Sequence, residues 1–157
     1  MHIDVTFPGG QAVDAHLLGH TIHTDQPVKH GGSGEQPAPF DLFLASIATC
    51  MGIYALQFCQ LRKIDTDGLS LAMETERDPE SKHIHLIRVE LRLPAGFPPR
   101  YLLAVERALD QCAVKRHMIN PPDFQLQAEV GPSRKQEGSF LSADAESSVG
   151  FEPKVSR

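Results

Sequence analysis

Cysteine is the residue type in this chain best suited to nucleophilic and redox chemistry, and there are three: Cys50, Cys59 and Cys112. The nucleophile is the thiolate, so a reactive cysteine needs a cation or a hydrogen-bond donor beside it. Cys50 and Cys59 stand nine residues apart in a stretch that reads as one helix. Nine steps of about 100° put them on opposite faces, with about 13 Å of rise between them. A disulfide needs Cα atoms within about 7 Å, so this pair cannot bridge inside a helix. Cys112 is then the only intramolecular partner for Cys50. It falls on an apolar stripe of a second predicted helix, with Tyr101, Leu102, Val105 and Leu109, so both thiols can face one packed interior. Free cysteine is also among the most buried residue types, and spacing alone leaves packing and chemistry both open. The mid-helix place of Cys50 leaves it little help from the dipole of its own helix.

The other candidates are weaker. His16, His20 and His23 would share a face only in a helix, a spacing suited to zinc. Gly19 and the strand pattern around it speak against a helix, so no metal site is expected. His83 and His85 fit the polar side of a strand. Gly31-Gly32-Ser33-Gly34 lacks the Lys-Ser/Thr ending of a phosphate loop and reads as the flexible rim of an active site. No Ser-His-Asp arrangement can be assigned, and no cofactor is expected.

The element that positions Cys50 runs from Pro39 to Ile64, with no charge between Asp41 and Arg62. Its apolar residues fall on all sides of a helical projection, which means a buried helix or a membrane span. Gln57 and Gln60 would be costly in lipid and are cheap at a protein interface. A core helix is therefore expected, and because one small domain cannot cover every face of it, a second subunit is expected to supply the rest. Pro37 and Pro39 suit its start, and Asp41 complements the dipole of its first turn.

Around it the chain alternates in short runs. Ile3 to Phe7, Val13 to Leu17 and His20 to Thr24 predict three strands with turns at Pro8-Gly9-Gly10 and Gly19. Leu69 to Met73 and His83 to Leu93 predict two more, with a phase shift at Leu86-Ile87 that implies a bulge. A second helix is expected from Pro98 or Pro99 through Val114, then a last strand on Phe124, Leu126, Ala128 and Val130. Grouped strands and helices of this kind point to an α+β fold with antiparallel sheet. Residues 1–131 read as the domain and 132–157, rich in Ser, Glu, Lys and Gly, as a flexible tail that orders against a partner through Phe140, Leu141 or Phe151.

A net charge of −5 gives no nucleic-acid partner. The opening HIDVTFPGG has no basic or long apolar run of a signal peptide, and an odd number of scattered cysteines fits a cytoplasmic protein with free or redox-active thiols.

The segment GGSGEQPAPFDLFLASIATCM, followed some sixty residues later by DQCAVKRHM, resembles the OsmC/Ohr family of osmotically inducible and organic-hydroperoxide-resistance proteins. The resemblance covers residues 1–130 and implies antiparallel sheets around two central helices in an intertwined homodimer, with active sites at the interface. It implies that Cys50 is the peroxidatic cysteine and Cys112 the resolving one, in a sulfenic acid–disulfide cycle closed by an external dithiol. Asp41 is carried over as the third site residue, placed to orient another group. Two positions depart from the best-characterised peroxidases: Phe40 stands where they have Glu, and no Arg precedes Arg62. Lys29, His30, Lys115, Arg116 and His117 are the candidate substitutes for the missing cation. The other reading is a non-catalytic dimer that binds a small hydrophobic ligand in the interface pocket.

Overall fold

In the computed structural model, which describes residues 1–131, the first three alternating runs form β1 (Asp4–Gly9), β2 (Ala12–Leu17) and β3 (His20–Thr24). They pair antiparallel in the order β1-β2-β3. Both turns pass through glycine at positive φ, Gly10 at 57° and Gly19 at 78°. The register sets Val5 beside Ala15 and Ala15 beside Ile22, while His16 lies between Asp4 and Thr21. Directly paired residues share a face, so one side of this sheet is apolar and the other carries the histidine.

The segment that follows is not the loose rim expected of KHGGSG. Asp25 is buried, and its carboxylate accepts the N–H groups of Gln26 at 2.7 Å, Ser33 at 2.7 Å and Gly34 at 3.1 Å, together with the Ser33 hydroxyl at 2.5 Å. The chain folds around that carboxylate so tightly that a Cβ on Gly32 would lie 1.9 Å from the Gln26 carbonyl oxygen. Glycine is there because nothing larger fits, and the loop returns the chain to the next helix through a bond from Asp25 N–H to Pro37 O.

That helix, α1 (Pro39–Leu61), starts as predicted, with Pro39 in its first turn and the Asp41 carboxylate accepting the Ala38 N–H at 3.2 Å. It stops where Lys63 turns left-handed (φ 55°) and Lys63 and Ile64 bond back to Gln60 O and Cys59 O. β4 (Ser70–Arg77) and β5 (Ile84–Arg92) then form an antiparallel hairpin. Its register steps from Glu76–Leu86 to Arg77–Ile84, so His85 is the extra residue of a bulge next to the position where the phase shift was expected.

The predicted second helix is broken. A 3₁₀ turn at Pro99–Tyr101 leads into α2 (Leu102–Leu109), and a separate α3 (Ala113–Ile119) begins at Cys112. The Cys112 backbone is extended, at φ −49° and ψ 116°, and its sulfur accepts the Lys115 N–H at 3.4 Å. A cysteine thus serves as the cap of α3, and three helices stand where two were expected. The last predicted strand does not form. Residues 121–131 have no regular structure, and Phe124 and Leu126 are 84% and 96% exposed. A strand exists only as part of a ladder, and among the described residues none pairs with this one. The predicted tail, residues 132–157, lies outside the described residues.

Ile47, Met51, Ala55 and Phe58 make one buried face of α1, packed on Val105 and Leu109 of α2, on Cys112 and on the inner face of the β4-β5 hairpin. The Phe58 ring meets Tyr101 edge-on at 6.0 Å and is covered by the Arg62 guanidinium at 3.7 Å. The opposite face of α1 is open, with Ile53 45% exposed. By length and composition alone α1 passes for a membrane span, yet one chain covers only one of its faces. The β1-β2-β3 sheet makes no substantial contact with the helices, and its apolar residues Val5 and Ile22 are exposed.

The Gly32→Ala chain is expected to unfold at lower urea, by about 1–3 kcal/mol, the usual cost of forcing atoms into occupied space. The Ser33 hydroxyl and the Gln26 N–H, opposed by burial and helped by the Ser33 and Gly34 N–H groups, hold the Asp25 carboxyl below its ordinary value. A lowered folded value means that this stabilisation is complete above the unfolded carboxylate pKa of about 3.9 and is lost as pH falls through the folded one. Urea titrations between neutral pH and pH 3 are expected to show a smaller acid loss of stability in Asp25→Asn than in the parent.

Candidate active site

Cys50 lies on α1 one turn beyond Ile47, half-buried, and Cys112 is fully buried at the start of α3. Two contacts bring them together. The Cys112 sulfur sits 4.0 Å from the Ile47 carbonyl oxygen, against the turn of α1 that ends in Cys50. The break after α2 then aims the first N–H groups of α3 at the same place. Helix starts leave such groups without intrahelical partners.

The electrostatics divide the pair. Burial raises the Cys50 thiol, but the nearby Val114 N–H, the Cys112 thiol and the Ala113 N–H oppose it and together hold it below the ordinary thiol value. Cys112 moves the other way. Burial pushes it up, the Lys115 N–H opposes, and the neighbouring Cys50 pushes it further up. Cys50 is therefore the more acidic of the two thiols and Cys112 the less acidic. None of the five candidate cations acts on Cys50: the groups that lower it are the Val114 and Ala113 amides and the Cys112 thiol. Lys115 pairs instead with Asp110, and His117 donates to the Ala113 carbonyl. Sequence reasoning looked for a charged side chain and missed these amides because no glycine or proline marks the break before α3.

The other candidates lie elsewhere. Asp41 is exposed and its carboxylate closes the first turn of α1, about 13 Å of helix rise from Cys50. Cys59 is buried and raised by that burial, with Arg62 opposing. His16 lies between the hydroxyls of Thr6 at 2.9 Å and Thr21 at 3.1 Å, and His23 pairs with Asp14 at 3.0 Å. Among the described residues no three metal-ligating side chains converge.

A cleft of about 580 Å³ borders the thiol region, walled by Ile47 and Met51 of α1, Val89 of β5 and Leu109 of α2, with Asp110 and Lys115 at its polar side. Met51 lines this cleft, Phe40 and Phe43 line a second one, and Tyr54 lines neither.

Residues 32–127 match the family described as OsmC-like protein. Among solved structures, the fold is similar to an osmotic stress induced and detoxification response protein from Psychrobacter arcticus 273-4, at 22% identity and a TM-score of 0.63, over 73% of this chain and 85% of that one. It is also similar to an organic hydroperoxide resistance protein, OsmC, from Legionella pneumophila, at 21% identity and a TM-score of 0.50, over 75% and 89% of the two chains. No curated protein matches.

Alkylation by iodoacetamide against pH is expected to show Cys50 titrating below the ordinary thiol value of about 8.5 and Cys112 remaining unreactive. In Cys112→Ala the Cys50 titration moves upward, because one of its three donors is gone.

Proposed function

The chain belongs to the OsmC-like family, and from that premise we propose that it is a thiol-dependent peroxidase that reduces organic hydroperoxides in defence against oxidative stress. The observation that carries this reading is the placing of Cys112 against the turn of α1 that bears Cys50, with the two thiols driven in opposite directions, Cys50 down and Cys112 up. The name of the Legionella protein of the same fold lends it support.

In the cycle, the Cys50 thiolate attacks the distal peroxide oxygen. A sulfur–oxygen bond forms, the oxygen–oxygen bond breaks, and the alkoxide leaves. The Cys112 S–H stands against Cys50, so it supplies the proton that turns alkoxide into alcohol. Cys112, now a thiolate, attacks the Cys50 sulfenic sulfur and expels hydroxide, which a solvent proton turns into water. The disulfide holds the two electrons' worth of oxidation until an external dithiol removes it by exchange. The 580 Å³ cleft favours an alkyl substrate over hydrogen peroxide, because each buried methylene contributes about 0.8 kcal/mol.

The working form in this reading is a homodimer in the cytoplasm. The open face of α1 and the uncovered apolar side of the β1-β2-β3 sheet support a second copy as their cover, and a cycle that passes through free thiols suits a reducing compartment. The same apolar cleft supports the alternative of a dimer that only binds a hydrophobic ligand, which the lowered Cys50 argues against.

With dithiothreitol as reductant, the chain is expected to consume cumene hydroperoxide, and Cys50→Ser to lose all turnover. Cys112→Ser releases one equivalent of alcohol and accumulates a sulfenic acid that dimedone traps. Absence of turnover in the parent, or full turnover by Cys50→Ser, overturns the peroxidase. Sedimentation equilibrium is expected to give twice the chain mass.

A further inference from the structure

A second cleft, of about 500 Å³, opens between the first turns of α1 and the far end of the β4-β5 hairpin. Phe40, Phe43 and Leu44 form its apolar side. Arg77, Lys82, His83 and His85 form the other. Four basic side chains on one cleft are notable in a chain of net charge −5, and no acidic side chain is among its lining residues.

Of the carboxylates nearest in sequence, Asp78 and Glu76 are already committed, and Glu80 makes no ion pair with Arg77 or Lys82 among the described residues. Asp78 accepts the N–H groups of Glu80 at 3.1 Å and Ser81 at 2.7 Å and the Ser81 hydroxyl at 2.9 Å. Glu76 is held by Arg88 at 2.6 Å and reaches His85 only at 3.9 Å. Arg77 gives one N–H to the Lys82 carbonyl at 3.0 Å and lies 5.4 Å from the centre of the Phe40 ring. Those two contacts fix its guanidinium and leave most of its five donors free, in a group whose planar fork matches a carboxylate. Among the described residues, neither Arg77 nor Lys82 has an ion-pair partner.

The basic cleft does not end blindly. Ile87 and Met118 line both it and the apolar 580 Å³ cleft beside α2, so the two adjoin. A site that is cationic at one end and apolar for the rest fits a ligand of matching polarity. We propose that the adjoining clefts bind a medium-chain carboxylate, with its head on Arg77 and Lys82 and its alkyl chain running past Met118 into the apolar cleft. The site uses neither thiol of the peroxidase reading, so it is tested without them.

Titration calorimetry on the full-length Cys50→Ser chain, with decanoate, hexanoate, acetate and decanol, decides it. Decanoate is expected to bind with one site per chain, and affinity to rise about fourfold per methylene from hexanoate to decanoate. The double variant Arg77→Gln, Lys82→Gln alters two exposed side chains. It is expected to keep its circular dichroism, to lose at least tenfold in decanoate affinity and to bind decanol as before. Equal binding of decanoate and decanol, or an unchanged double variant, overturns the proposal. So does binding to anionic vesicles but not to monomeric decanoate, or no binding at all, as follows if a second copy of the chain fills the cleft. Loss of peroxidase activity in the parent has no bearing on any of these outcomes.

Discussion

One contact determines how the rest of the structure is used: the approach of the Cys112 sulfur to the turn of α1 that carries Cys50. Two thiols of equal intrinsic acidity become different there because their surroundings differ. Cys50 is half-buried and three neighbouring groups lower it, whereas Cys112 is sealed among apolar side chains and the Lys115 and Val114 N–H groups do not offset its burial. Where desolvation is strong and donors few, the proton stays; where donors accumulate, it leaves. The hydrophobic packing of Val105, Leu109, Ile47 and Met51 therefore does more than stabilise the fold. It holds the break between α2 and α3 against α1, and that break turns backbone amides toward sulfur.

A thiolate of this kind is stabilised without a partner charge. An arginine would have to be desolvated along with the sulfur and would bring a long flexible side chain to order. Backbone N–H groups at the start of α3 are already fixed by the helix and have no other intrahelical acceptor. The first arginine in the sequence, Arg62, is occupied with Phe58 and Tyr101, which is consistent with such a site.

Much of the fold was legible in the sequence, for reasons of period. The alternating runs at Ile3–Phe7, Val13–Leu17 and Leu69–Met73 became β1, β2 and β4, and the uncharged stretch after Pro39 became α1 with the predicted proline start and Asp41 in its first turn. The pairing of Cys50 with Cys112 could be anticipated too, because helix geometry removes Cys59. What could not be read was conformational. Asp110-Gln111-Cys112 carries no breaker, so the cap at Cys112 and the separate α3 were invisible. KHGGSG looked loose because glycines are common in loose loops; here they are demanded by a buried carboxylate, Asp25, eight residues upstream of its main partner Ser33. The alternation from Phe124 to Val130 is a genuine strand pattern that has no second strand among the described residues. The composition of α1 led to the expectation that its own domain covers only part of it, and among the described residues one face is covered.

The cap of α3 sets a short helix between the two thiols and the apolar cleft. The first amides of that short helix lie by the sulfur of Cys50 and lower its thiol. The cycle proposed above would join the two sulfurs and leave the same amides facing a neutral, weaker acceptor. A helix of seven residues has little intrinsic persistence, so its first turn is the part of the chain most sensitive to that exchange. Met118 and Ile119 at its other end line the apolar cleft, so one seven-residue helix joins the thiols to the wall of a surface opening.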